Sequence, residues 1–88
     1  MKATNGVLKI FVSAGCYGCD KALEMAALAK KLKPMLKTEV IDLSEQPDAG
    51  IGMVFAVPTY IYNNRPVFLG NPSPQEFQAW LDHLDLEA

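Results

Sequence analysis

The sequence predicts an α/β fold: one four-stranded mixed sheet flanked by helices, in the order β-α-β-(α)-β-β-α. Three observations carry this expectation. An apolar, β-rich run at 7–12 leads into a helical pattern reaching Leu32 and then a second β-rich run at 38–43. Two further β-rich runs flank Asn63-Asn64, a hairpin signal. The last apolar pattern opens on Ser73-Pro74-Gln75-Glu76, a helix-start signature. A helix between the first two strands calls for a parallel pair with a right-handed crossover. A tight turn between the last two calls for an antiparallel pair.

Val7-Leu8-Lys9-Ile10-Phe11-Val12 reads as a mostly buried strand, closed by the small residues Ser13, Ala14 and Gly15. The helix is expected from near Cys16–Tyr17 to about Leu32. Its apolar face is Ala22, Met25, Ala26, Ala29 and Leu32, widened by Leu23 and Leu28. Asp20 in its first turn and Lys30, Lys31 and Lys33 at its end suit the helix dipole, and Pro34 stops it.

Thr38 to Leu43 reads as the second strand, and Ser44 is placed to cap a short third element with Pro47 near its start. Gly50 and Gly52 weaken a helix there. Thr59 to Tyr62 forms the third strand and Arg65 to Leu69 the fourth. Pro66 cannot donate a ladder hydrogen bond, so it belongs at a strand start or on an edge. Phe77, Trp80, Leu81 and Leu84 form the buried stripe of the final helix. Tyr60 and Tyr62 share one sheet face and pack against a helix, while His83 belongs at the surface.

The 88 residues suit one domain, with half of them apolar. The formal net charge of −2 lacks the Lys/Arg footprint of a nucleic-acid binder. No stretch approaches the roughly 20 apolar residues of a membrane span. The short polar opening and the Lys9-containing run after it do not read as a signal peptide, so the cytosol is the expected compartment and a monomer the expected state.

The two cysteines, Cys16 and Cys19, stand three positions apart. A disulfide stabilises by closing a loop in the unfolded chain, and this one would close almost none. Their spacing therefore points to reactivity or ligation. They sit where a strand hands over to a helix, the setting of a redox C-x-x-C. A helix N-terminus offers unpaired N–H groups and a positive dipole end, both favouring a thiolate. Free thiols have a pKa of about 8.5, which falls to roughly 3.5–7.5 in such motifs. Cys16, at the mouth of the helix, is the expected attacking thiol. Cys19, in the first turn, is the expected buried resolving thiol, whose attack on a mixed disulfide is intramolecular. Tyr17 and Gly18 set the turn between them and tune its redox potential, and Tyr17 is placed to stack on a partner.

The competing reading is half a zinc site. A closed site takes four ligands, and the chain offers two cysteines and the distant His83. A metal would need a homodimer bridged through two C-x-x-C pairs, or borrowed carboxylates. The expectation is no metal and no cofactor beyond a redox-active Cys16–Cys19 disulfide.

Ala56-Val57-Pro58-Thr59 is the second informative site. A proline directly before a β-rich run is not a mid-strand residue. A cis Val57–Pro58 bond would turn the chain sharply into the third strand and leave the Val57 backbone free to pair with an extended substrate. Only about 5–6% of X-Pro bonds are cis, so composition leaves the isomer open.

In order, a strand, Cys-Tyr-Gly-Cys, a helix, Val-Pro-Thr before a strand, Asn-Asn-Arg at a hairpin, and Leu-Gly-Asn-Pro-Ser entering an amphipathic helix run from Val7 to Leu84. With Cys16 and Pro58 about 40 residues apart, the chain resembles a small thioredoxin/glutaredoxin-like protein. The resemblance implies a thioredoxin-like fold, and a cis Val57–Pro58 bond facing the cysteine pair. It implies substrate binding by the Val57 backbone, with Tyr17, Pro58, Thr59 and Gly70 around it. It further implies a disulfide oxidoreductase acting on protein disulfides, recharged by a thioredoxin-reductase-type donor or by glutathione. A redox carrier or adaptor for one partner is the alternative role on the same fold.

Two departures stand out. The glycine pair and acidic residue with which glutaredoxins hold glutathione are missing at Gly70 to Ser73. The buried acid of thioredoxins would fall at Ile10, so Cys19 must lose its proton by another route, of which water is one.

Overall fold

The structure is a computed structural model that describes residues 6–15, 18–51, 54 and 56–84. Its elements are β1 (Val7–Val12), α1 (Cys19–Leu32), β2 (Lys37–Asp42), β3 (Thr59–Tyr62), β4 (Arg65–Leu69) and α2 (Pro74–Asp82). One sheet has the order β2-β1-β3-β4. β1 and β2 are parallel; β1–β3 and β3–β4 are antiparallel. The mixed sheet expected from the connections is therefore the one formed. β4 is an edge strand, which accommodates Pro66.

Alternation along β1 sends Leu8, Ile10 and Val12 to one face, where they join Cys19, Ala22, Met25, Ala26 and Ala29 of α1, and Phe77 and Leu81 of α2. Phe11 points the other way. It is nonetheless buried, because Gly50 lies over it: a methyl added there would meet the ring at 3.6 Å and Val54 at 2.7 Å.

Aromatic rings fasten α2 to the sheet. Tyr60 meets Phe68 and Phe77 edge-on at centroid distances of 5.7 and 5.6 Å, and Tyr62 meets Trp80 at 5.3 Å. Such edge-to-face pairs satisfy the ring quadrupoles. Both tyrosines thus lie against a helix, as their alternation around Ile61 predicts.

Several features differ from the sequence reading. α1 starts at Cys19, not at Cys16–Tyr17, because Gly18 has φ 93° and cannot belong to a right-handed helix. β2 runs from Lys37 to Asp42, one residue earlier than expected, in step with Val7 to Val12 of β1. No helix forms among the described residues of 43–58. Successive turns replace it, closed by bonds such as Gln46 N to Asp42 O at 2.9 Å and Val54 N to Gly50 O at 2.8 Å. Ser44 caps nothing there: its hydroxyl accepts a hydrogen bond from Ala14 N at 2.7 Å and ties this segment to the exit of β1. Leu23, assigned to the apolar face of α1, is 47% exposed.

The start of α2 is as expected. Glu76 N donates to the Ser73 hydroxyl at 3.0 Å and Ser73 N to the Glu76 carboxylate at 2.9 Å, a complete capping box with Pro74 at the first helical position. Ser73→Ala is expected to cost about 1 kcal/mol. That corresponds to a fall of about 4–8 °C in melting temperature for a domain of this size, read by circular dichroism. The Ser73 backbone N–H, and then its hydroxyl, hold the Glu76 carboxyl below the ordinary range. The box therefore lends its full stability above the ordinary glutamate pKa and loses it as pH falls through the lowered value.

Candidate functional site

Cys19 is the first residue of α1 and is buried, 7% exposed. Its place follows from Gly18, a left-handed N-cap without a side chain. The first N–H groups of α1 have no intrahelical partners and face the residues before the helix. Gly18 O accepts from Lys21 N at 3.1 Å and from Ala22 N at 3.2 Å, which closes the first turn. Cys19 carries no free thiol in this structure. The roles expected of Cys16 and Tyr17 fall on positions outside the described residues.

The segment before β3 carries the second group of expected site residues. The Val57–Pro58 peptide is cis, as the resemblance implies. Pro58 is buried, and Pro58 O accepts from Gly70 N at 2.9 Å, joining the proline turn to the end of β4. Among the described residues, none hydrogen-bonds the Val57 backbone. The half-buried Val57 packs against the core cluster that contains Cys19. Thr59 is 1% exposed, and its hydroxyl donates to Ala56 O at 2.6 Å, so this side chain braces the turn.

Val57, Pro58, Thr59 and Gly70 line one hollow of about 270 Å³, together with Ala56 and Leu69. Leu69 is 82% exposed, an apolar rim the sequence reading did not single out. A second hollow of about 290 Å³ shares Ala56 and Val57 with it and is otherwise lined by Ser13, Leu43, Ser44 and Val54. Val57 thus borders two depressions. A third hollow of about 340 Å³, lined by Val7, Lys9, Glu39, Asn63 and Asn64, lies at the opposite end of the strands and includes none of these residues.

Asn71 links the residue before Cys19 to β3, and sequence reasoning missed it. Its side-chain amide donates to Gly18 O at 2.8 Å. Its carbonyl oxygen accepts from the Tyr60 hydroxyl at 2.9 Å. Burial pushes the Tyr60 phenol well above its ordinary range, so the hydroxyl keeps the proton that it donates to that oxygen. The bond spans 53 residues of chain, and no local pattern around Asn71 signals it.

No group of three or more His, Cys, Asp or Glu able to hold a metal ion occurs among the described residues. No described helix is long and apolar enough to cross a membrane.

The fold has close counterparts among solved structures. Thioredoxin of Malassezia sympodialis (Mala s 13) superposes with a TM-score of 0.67 at 16% identity, over 91% of this chain and 75% of that one. Fasciola hepatica thioredoxin superposes with a TM-score of 0.63 at 21% identity, over 91% of this chain and 82% of that one. Among curated proteins, none matches the chain in sequence. The family model described as a thioredoxin domain matches residues 7–82. A match over that span, on a sheet and helix pair of the same architecture, places the chain in the thioredoxin-domain family.

Proposed function

We propose that the protein is a thiol–disulfide oxidoreductase that reduces protein disulfides by a dithiol mechanism. The observation that carries this reading is Cys19 as the buried first residue of α1, three positions after Cys16. The cis Val57–Pro58 turn, with the Val57 backbone open to an extended chain, supports it.

The Cys16 thiolate attacks one sulfur of a substrate disulfide. That S–S bond breaks, the first substrate thiolate leaves, and a mixed disulfide forms. Cys19, as thiolate, then attacks the Cys16 sulfur. The mixed disulfide breaks, the second substrate thiolate leaves, and a Cys16–Cys19 disulfide closes. Two electrons have passed to the substrate. Ile10, fully buried and apolar, offers no carboxylate to take the Cys19 proton, so water accepts it. A reductase-type or glutathione donor returns the electrons. The site works in a single cytosolic chain and calls for no metal.

Insulin reduction tests this in two arms, one driven by NADPH with thioredoxin reductase and one by glutathione with glutathione reductase. Turnover is expected in at least one arm. The missing glycine pair at Gly70 to Ser73 favours the reductase arm. Turnover in neither arm, with no reversible oxidation of the cysteine pair by glutathione disulfide, sinks the reading.

A further inference from the structure

We infer that Asn71 is a positioning residue for the Cys16–Cys19 pair: by holding the Gly18 carbonyl, it favours the disulfide state over the dithiol. The inference rests on the redox reading above.

Gly18 is the residue directly before Cys19, and its left-handed conformation sets the direction from which the chain enters α1. That conformation is accessible to glycine but not enforced by it, since glycine takes either sign of φ with similar ease. Something else must hold the turn. The first-turn bonds from Lys21 N and Ala22 N hold the Gly18 carbonyl from the helix side. Only Asn71 reaches it from outside α1 among the described residues, at 2.8 Å.

Asn71 is itself oriented. An asparagine amide can flip and present oxygen where nitrogen is needed. The Gly18 carbonyl can only accept and so selects the NH₂, while the Tyr60 hydroxyl, held by a ring wedged between Phe68 and Phe77, donates to the oxygen on the other side. A methyl on Gly18 would come within 3.3 Å of that nitrogen, so the two groups are in direct contact. The relay runs from the centre of the sheet, through the loop before α2, to the residue that precedes Cys19.

The structure shows this relay in a state where Cys19 has no free thiol. Opening a Cys16–Cys19 disulfide would leave Gly18 free to take either sign of φ, and the Asn71 bond opposes that change. Its contribution therefore differs between the oxidised and reduced proteins. A purely structural residue would stabilise both alike and leave their ratio unchanged.

The redox equilibrium reads that ratio directly. Protein disulfide plus two glutathione thiols gives protein dithiol plus one glutathione disulfide; one S–S bond breaks, one forms, and two electrons pass to the protein. The whole chain is equilibrated in glutathione buffers, quenched by alkylation and counted by mass spectrometry. Asn71→Ala is expected to shift the constant threefold to tenfold towards the dithiol, or about 15–30 mV at two electrons. Asn71→Asp keeps the acceptor for Tyr60 but loses the donor to Gly18, and is expected to shift it at least as far. Tyr60→Phe frees the amide and shifts it the same way by less, and serves if the Asn71 variants fold poorly.

A wild-type protein that equilibrates, with all three variants within a factor of 1.5 of it, overturns the inference and leaves the oxidoreductase reading standing. A wild-type protein that never equilibrates with glutathione overturns both.

Discussion

Cys16→Ser is expected to abolish insulin reduction in either donor arm, and Cys19→Ser to arrest it one step later with the substrate covalently held. The thiolate is the nucleophile in disulfide exchange, and a serine hydroxyl does not ionise near neutral pH to replace it. A helix N-terminus cannot rescue a group so far from ionising, since a dipole contributes at most about 2 kcal/mol. Cys19→Ser leaves the first attack intact. The mixed disulfide then lacks its internal resolver. A well-oriented neighbouring group acts as though present at about 10⁵ M or more, which millimolar external thiol does not match. Mass spectrometry of the non-reduced reaction should find one insulin chain attached to Cys19→Ser protein and released by dithiothreitol. Full turnover by Cys16→Ser, or no adduct on Cys19→Ser, contradicts the assigned order of attack.

Three of the strands and the start of the last helix are legible in local sequence, because local chemistry decides them. The helix ends at Asp82, so Leu84, assigned to its stripe, lies beyond it. Val7–Val12 is β-rich and apolar, Asn63-Asn64 takes the positive φ values of 50° and 68° that its hairpin needs, and Ser73 to Glu76 closes its box within four residues. The start of α1 is misplaced for a reason also present in the sequence. Gly18 is a good N-cap and a poor helix residue, and the apolar spacing from Ala22 onward does not reach back to Cys16. Leu23 misleads because it follows Ala22 by one position, about 100° around the helix from the buried stripe.

For the candidate site, sequence names residue types but not the wiring between them. Cys19, Val57, Pro58 and Gly70 follow from motif and resemblance, and the cis peptide and shared hollow bring the last three together. Asn71 reads in sequence as one more polar residue between Gly70 and Pro72. Its partners are Tyr60 and Gly18, 11 and 53 residues away, and only the folded sheet brings them within reach. The hydroxyl of Tyr60 was equally silent, since packing alone accounts for the ring.

Ile10→Asp is expected to be the most damaging core substitution, and its damage should grow with pH. Ile10 is 0% exposed, sits opposite Val40 and Tyr60, and belongs to the cluster that holds Cys19. Losing most of a buried isoleucine costs about 2–5 kcal/mol. A buried carboxyl without a designed partner adds about 1–3 kcal/mol even when neutral. Against a total of roughly 5–15 kcal/mol for a domain, the variant is close to unfolding. Desolvation raises the folded-state pKa of the new acid above its unfolded value of about 3.9. Below that value both states are protonated and ionisation costs nothing. Above it the unfolded chain ionises and the folded one resists, so stability falls by about 1.4 kcal/mol per pH unit until the folded pKa is reached. Ile10→Asn carries the same polarity without the titration. The urea midpoint of Ile10→Asp should therefore drop from pH 4 to pH 7 relative to Ile10→Asn. Identical pH profiles for the two would mean that a carboxylate is paired or hydrated at this position, and that the apolar wall drawn around Cys19 is open to water.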